Sequence, residues 1–99
     1  MIVLRVNCTA KVDKQGELVE VLKSMRSRFA DPDRMRIYTS HPAGAPLFQT
    51  VWEMEYESLA DLEQFLPEWF ATAGAAGLLS KWTSLVDLAG DSTVWTLVE

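Results

Sequence analysis

The chain has 99 residues, 48% of them hydrophobic and 23% charged, with a formal net charge of −5. Domains run roughly 50–200 residues, so a single domain over residues 1–99 is expected, and this much apolar mass excludes a disordered chain. The acidic balance, without a clustered Lys/Arg footprint, excludes phosphate-backbone binding, and no nucleic-acid partner is expected.

From Met1 to Lys11 the even positions Ile2, Leu4, Val6, Cys8 and Ala10 are apolar. That is period two, a strand with one dry face. Arg5 interrupts the apolar opening too early for a signal-peptide core, and no run approaches the ~20 apolar residues of a membrane span, so a cytoplasmic address and no membrane partner are expected. Cys8 is the sole cysteine, which rules out an intrachain disulfide, and it reads as a small core residue rather than a reactive thiol. Asp13 is placed to cap a first helix, Lys14 to Ala30, whose apolar positions Leu18, Leu22, Met25 and Phe29 recur at helical spacing. Asp31-Pro32-Asp33 ends it.

Met35, Ile37 and Thr39 alternate with Arg36, Tyr38 and Ser40, and a further alternation begins at Leu47 after the loop from His41 to Pro46. Two strands joined by so short a Pro/Gly loop predict an antiparallel hairpin. In the third strand Phe48, Thr50, Trp52, Met54 and Tyr56 share the face expected under the helices, while Gln49, Val51, Glu53 and Glu55 share the other. Ser58 and Asp61 resemble a capping box ahead of Leu62, Phe65, Leu66, Trp69 and Phe70. Pro67 predicts a break near Leu66, because it lacks the amide a helix interior needs. Leu78, Leu79, Trp82, Leu85 and Val86 form a separate apolar stripe, Asp87 to Asp91 read as a turn, and Thr93 to Val98 as the last strand.

Each half of the chain is therefore βαβ. The predicted fold class is α+β, a ferredoxin-like βαββαβ domain with a four-stranded antiparallel sheet and both helices on one face. The uncovered face carries Val3, Arg5, Asn7, Arg36, Tyr38, Gln49, Val51 and Glu53. It is too apolar for an ordinary solvated face and too charged for a core. A sheet-on-sheet homodimer fits it, with Arg5 and Arg36 paired to Glu53 or Glu55, against a solvated face on a monomer.

Four Trp in so short a chain point to an apolar pocket between sheet and helices, lined by Trp52, Tyr56, Phe65, Trp69 and Trp82, against the alternative that these residues are plain core. Asn7, Tyr38, His41 and Thr50 are the polar groups available to orient a ligand. His41, the sole histidine, is a candidate general base against an exposed loop histidine. One His with one distant Cys cannot build a protein metal site, and no Gly-rich phosphate loop follows a strand, so no metal, nucleotide or other cofactor is expected.

Val51-Trp52-Glu53-Met54-Glu55-Tyr56-Glu57-Ser58-Leu59-Ala60-Asp61-Leu62, a strand with a central Trp running into a helix start, resembles the NIPSNAP-like and antibiotic biosynthesis monooxygenase-like branches of the dimeric α/β-barrel superfamily. The resemblance implies two ferredoxin-like subunits packed sheet to sheet. It also implies one of several functions: cofactor-free oxygenation of aromatic or quinol molecules, haem degradation, lactone isomerisation, or none known. Asn7 matches the first-strand Asn of haem-degrading members, but Phe65 stands near their expected Trp and residues 71–79 hold no His, so haem chemistry is not expected. The His-Asp pair of another branch finds no matching spacing. The leading expectation is a homodimeric domain that binds a small apolar or aromatic molecule, as a carrier or a cofactor-free monooxygenase. The alternative is a structural or assembly domain without a ligand.

Overall fold

The computed structural model describes residues 1–29, 31–40, 49–88 and 90–98. The elements are β1 (Ile2–Ala10), α1 (Gln15–Arg26), a 3-10 turn at Pro32–Arg34, β2 (Met35–Thr39), β3 (Gln49–Tyr56), α2 (Leu59–Phe70), α3 (Ala75–Leu85), β4 (Val86–Leu88) and β5 (Ser92–Thr96). Every strand pairing is antiparallel, in the order β2-β3-β1-β4, with β5 also paired to β1. This is the ferredoxin-like arrangement with five strands rather than the expected four.

The extra strand comes from splitting the last one. β4 pairs with the end of β1 at Thr9 and Ala10, and β5 pairs with its beginning from Ile2 to Val6. Between them Gly90 has φ +74°, and a Cβ built there would overlap the Asn7 carbonyl oxygen. Only glycine permits both that conformation and that approach. The expected turn at Asp87–Asp91 is thus shortened, because Asp87 and Leu88 join the sheet.

Period-two burial sorts the sheet as the sequence predicts. Leu4, Val6, Cys8 and Ala10 of β1, Thr50, Met54 and Tyr56 of β3, and Met35 of β2 are buried under the helices. Leu18 and Leu22 of α1 are wholly buried, each worth about 1.5–3 kcal/mol of transfer free energy. α1 packs mainly on α3, while α2 bridges β3 and α3.

The helix termini differ from expectation in two places. Asp13 has φ 63° and does not cap α1, whose N-cap Lys14 offers no side-chain hydrogen bond; the chain instead turns by a Lys14 N–H to Lys11 carbonyl bond of 2.9 Å. α1 also stops at Arg26, short of Ala30. α2 runs through Pro67 to Phe70, and the break falls at Ala71–Gly74, where Gly74 has φ 84°. Pro67 is tolerated because it and Glu63 are both exposed, so water can serve the carbonyl that loses its amide partner. The ladder resumes with the Ala71 N–H donating to the Pro67 carbonyl at 3.1 Å. Ser58 does cap α2, accepting from the Asp61 N–H at 3.3 Å.

The face of the sheet away from the helices has half-buried Val3, Arg5, Asn7, Val51 and Glu53, with Tyr38 and Trp95 exposed. Its charges pair within the subunit. Arg5 meets Glu53 at 2.7 Å and lies over the Trp95 ring, and Arg36 pairs with Glu55.

Candidate ligand-binding site

Between the sheet and the helices lies a cavity of about 300 Å³. Its floor is Leu4 and Val6 of β1, Met35 of β2, and Trp52 and Met54 of β3. Its roof and walls are Met25 of α1, Phe29 beyond it, Phe65, Leu66, Trp69 and Phe70 of α2, and Leu79 and Trp82 of α3, with Ser92 of β5 the one hydroxyl-bearing lining residue. The volume sits at the small end of ligand pockets, which are mostly apolar with few polar groups.

Local sequence explains why space remains here. α2 and α3 part at Gly74, so their apolar stripes diverge instead of continuing one face. Arg28 donates to the Ala73 carbonyl and its guanidinium fills the space where a Gly74 side chain would sit, holding that break against the end of α1. Phe70 and Leu79, at 51% and 37% exposure, form the rim. An edge-to-face and tilted aromatic series runs from Tyr56 through Phe65 and Phe29 to Trp69 and Phe70, with ring centroids 5.2–6.4 Å apart, so the wall is built of mutually packed rings from its depth to its rim. Three methionines on the floor and wall supply the adaptable part.

Of the candidate ligand-binding residues, Trp52, Phe65, Trp69 and Trp82 line this cavity, and Thr50 and Tyr56 do not. Thr50 is fully buried farther along β3. Tyr56 lies at the other end of that strand, where its hydroxyl donates to Met54 Sδ at 3.4 Å. Desolvation drives its phenol pKa up, partly offset by nearby Arg34. Asn7 and Tyr38, expected as polar groups that could orient a ligand, sit on the opposite face of the sheet: odd positions of β1 and Tyr38, paired with Val51, point away from the helices. Strand parity therefore separates them from the cavity. His41 and Phe48 lie outside the described residues.

The sequence places Met25 and Phe29 on the apolar stripe of the first helix without singling them out as lining, and the same holds for Met35, Leu66, Phe70 and Leu79 in their own elements. The signal was there in part, since Met25 and Phe29 share a helical face and Phe70 follows Trp69 directly. The separation of α2 from α3 that opens the space is a tertiary matter.

The chemistry of the wall is unusual in one respect. Trp52, Trp69 and Trp82 each bury the indole Nε1, and among the described residues none of the three has a hydrogen-bond partner. An unpaired buried donor costs roughly 1–3 kcal/mol, and native structures contain few of them. The Trp82 indole lies close enough to Cys8 to temper the rise that burial imposes on the thiol pKa, yet it forms no hydrogen bond of normal geometry. The Cys8 thiol itself donates to the Thr50 carbonyl at 3.3 Å. No lining residue carries an ionisable side chain, and among the described residues no group of three or more His, Cys, Asp or Glu could hold a metal ion.

No family model matches the chain, and no curated protein sequence does. Solved structures do. An Agrobacterium tumefaciens protein aligns over 99% of this chain and 94% of its own, with TM-score 0.81 and 13% identity. A Nitrosomonas europaea protein named for antibiotic biosynthesis monooxygenase aligns over the whole of both chains, with TM-score 0.71 and 17% identity. The fold is that of antibiotic biosynthesis monooxygenase-type proteins. A protein of that name from Chloroflexus aurantiacus, at TM-score 0.70 and 9% identity over 99% of this chain and 93% of its own, agrees. At such identities the likeness speaks for the backbone, and the NIPSNAP side of the sequence resemblance rests on residues 51–62 alone. No helix among the described residues is long and apolar enough to cross a membrane.

Proposed function

We propose that this monooxygenase-type domain binds a small apolar or aromatic molecule in the cavity between sheet and helices. The observation that carries the reading is the almost wholly carbon-lined space of about 300 Å³, open at the Phe70 and Leu79 rim, with Trp52, Trp69 and Trp82 in its wall. Burying such a molecule against apolar walls can supply micromolar affinity, about −8 kcal/mol, without a charged contact. Oxygenation of the bound molecule is the finer reading, supported by the names of the structural neighbours. The test is titration with naphthoquinols, flavonoids and small phenols, followed by Trp fluorescence and by oxygen uptake. Saturable binding with oxygen consumption supports a monooxygenase, and binding without turnover supports a carrier. Absence of binding across the panel leaves the structural or assembly domain.

We also infer a homodimer through the uncovered sheet face. Tyr38 and Trp95 are 44% and 52% exposed beside Val3 and Val51, and the charges there are already paired within the subunit, so a second copy can cover the apolar groups without stranding an ion. Wild type should sediment as a dimer at micromolar concentration, and Val51→Glu, which adds like charge beside Glu53, should weaken it. A wild-type monomer under those conditions refutes the inference.

A further inference from the structure

The sheet has two outer edges, and they are built differently. The Leu97 N–H donates to the Met1 carbonyl at 3.0 Å and the Asn7 N–H to the Asp91 carbonyl at 2.9 Å, so the odd residues of β5 turn their backbone groups to β1. In an antiparallel ladder the even residues then turn theirs the other way. Ser92, Val94 and Thr96 thus present N–H and C=O at the outer edge, where no other described strand pairs with them. At the opposite edge the Ser40 N–H donates to the Gln49 carbonyl at 3.0 Å, which by the same rule leaves Met35, Ile37 and Thr39 of β2 outward. That edge carries Arg36, paired to Glu55, with the Arg34–Asp31 pair just before it. Natural sheets blunt their edges with such charges, with proline or with bulges. β5 has none of these: residues 92–98 hold no charged residue and no proline, in a chain of net charge −5, and Val94 and Trp95 on its two faces are both exposed.

We propose that the free edge of β5 pairs with β5 of a second copy, antiparallel about a two-fold axis at Val94. Ser92 then lies opposite the partner's Thr96, and Val94 opposite the partner's Val94, so every outward N–H and C=O of the three residues meets its complement. The occupant is a second copy because the edge is self-complementary in this register and uncharged. Two chains that repel elsewhere at net −5 meet here without a carboxylate in the ladder. The contact is one short strand pair, so it is weak, with Kd on the order of 100 µM. It is separate from the sheet-face contact, and either can fail without the other. It also brings the partner's Thr96 beside Ser92, a lining residue of the cavity, so the second copy adds a side chain to the border of that space.

The experiment is amide hydrogen exchange of the whole chain by NMR at about 20 µM and about 1 mM, with sedimentation equilibrium over the same range. Exchange at Ser92, Val94 and Thr96 should slow about three- to fivefold at the higher concentration, as mass action at that affinity requires. Thr93 and Trp95, bonded to β1 throughout, and Ile37 and Thr39 at the β2 edge should not change. The weight-average mass should rise in step. Val94→Lys, which sets two ammonium groups against each other at the axis, should abolish both effects and leave the mass at the lower concentration as it is in wild type. Val51→Glu, which acts on the sheet face, should keep the edge protection. Should Val94→Lys fail to fold, the alternating exchange pattern of wild type decides. Rapid exchange at Ser92, Val94 and Thr96 at both concentrations overturns the proposal. So does slowing that extends equally to Ile37 and Thr39, the mark of β5 pairing with β2 or of general association. Protection that survives Val94→Lys overturns it as well, because the edge is then covered within the subunit.

Discussion

Gly90→Ala should be the most damaging single-methyl change in the chain. Gly90 has φ +74°, and its added Cβ would overlap the Asn7 carbonyl oxygen and fall 2.6 Å from the carbonyl carbon. No side chain can yield there, because the obstacle is the backbone of the central strand. The left-handed conformation alone costs alanine roughly 1–2 kcal/mol. Relieving the overlap means lifting the β4–β5 junction off β1, which sacrifices the Asn7 N–H to Asp91 carbonyl bond of 2.9 Å and strains the pairing of Val6 with Ser92 beside it, at about 1 kcal/mol per bond lost. The sum is about 3 kcal/mol. For a domain of this size that lowers Tm by upwards of ~10 °C. Gly77→Ala is the control, since its Cβ would meet nothing within 4 Å on α3 and helix propensity should stabilise by about 0.5–1 kcal/mol. Urea unfolding of both variants followed by circular dichroism gives the comparison. A Gly90→Ala protein within about 0.5 kcal/mol of wild type would refute the claim that glycine is required where the last strand divides.

Trp69→Ala should cost about 3 kcal/mol in the same unfolding assay, the low end for a buried Trp because one side of the ring already borders open space; a loss under 1 kcal/mol would show that the aromatic wall is not packed as described. Ser58→Ala should cost about 1 kcal/mol through loss of the α2 cap, measured by thermal unfolding. Burial raises the Cys8 pKa above its ordinary value near 9, so its contribution to stability is intact below that pH and is lost as pH rises, since the unfolded thiol ionises first. Unfolding free energy should accordingly fall more steeply above about pH 9 in wild type than in Cys8→Ala, and equal slopes would contradict this. The same burial predicts that the thiol of the native protein resists alkylation until the protein unfolds.

Local pattern carried most of the fold. Alternation in β1 and β3 specified which side of each strand is dry, because strand side chains alternate with period two, and Ser58 with Asp61 marked the start of α2 because an N-cap needs only neighbouring atoms. The same local reasoning named Trp52, Phe65, Trp69 and Trp82 as one apolar wall. It went astray where the deciding contact is distant in sequence. The break between α2 and α3 falls at Gly74, held by Arg28 from beyond α1, and not at Pro67, whose lost hydrogen bond water can replace on an exposed face. The split of the last strand is set by Gly90 pressing on Asn7, which no local propensity reveals. Asn7 and Tyr38 could be suspected of chemistry from residue type alone, but the pairing register turns them to the face opposite the cavity. The residues that can form a wall were thus legible in the sequence, whereas the space between them was decided by how separate elements pack.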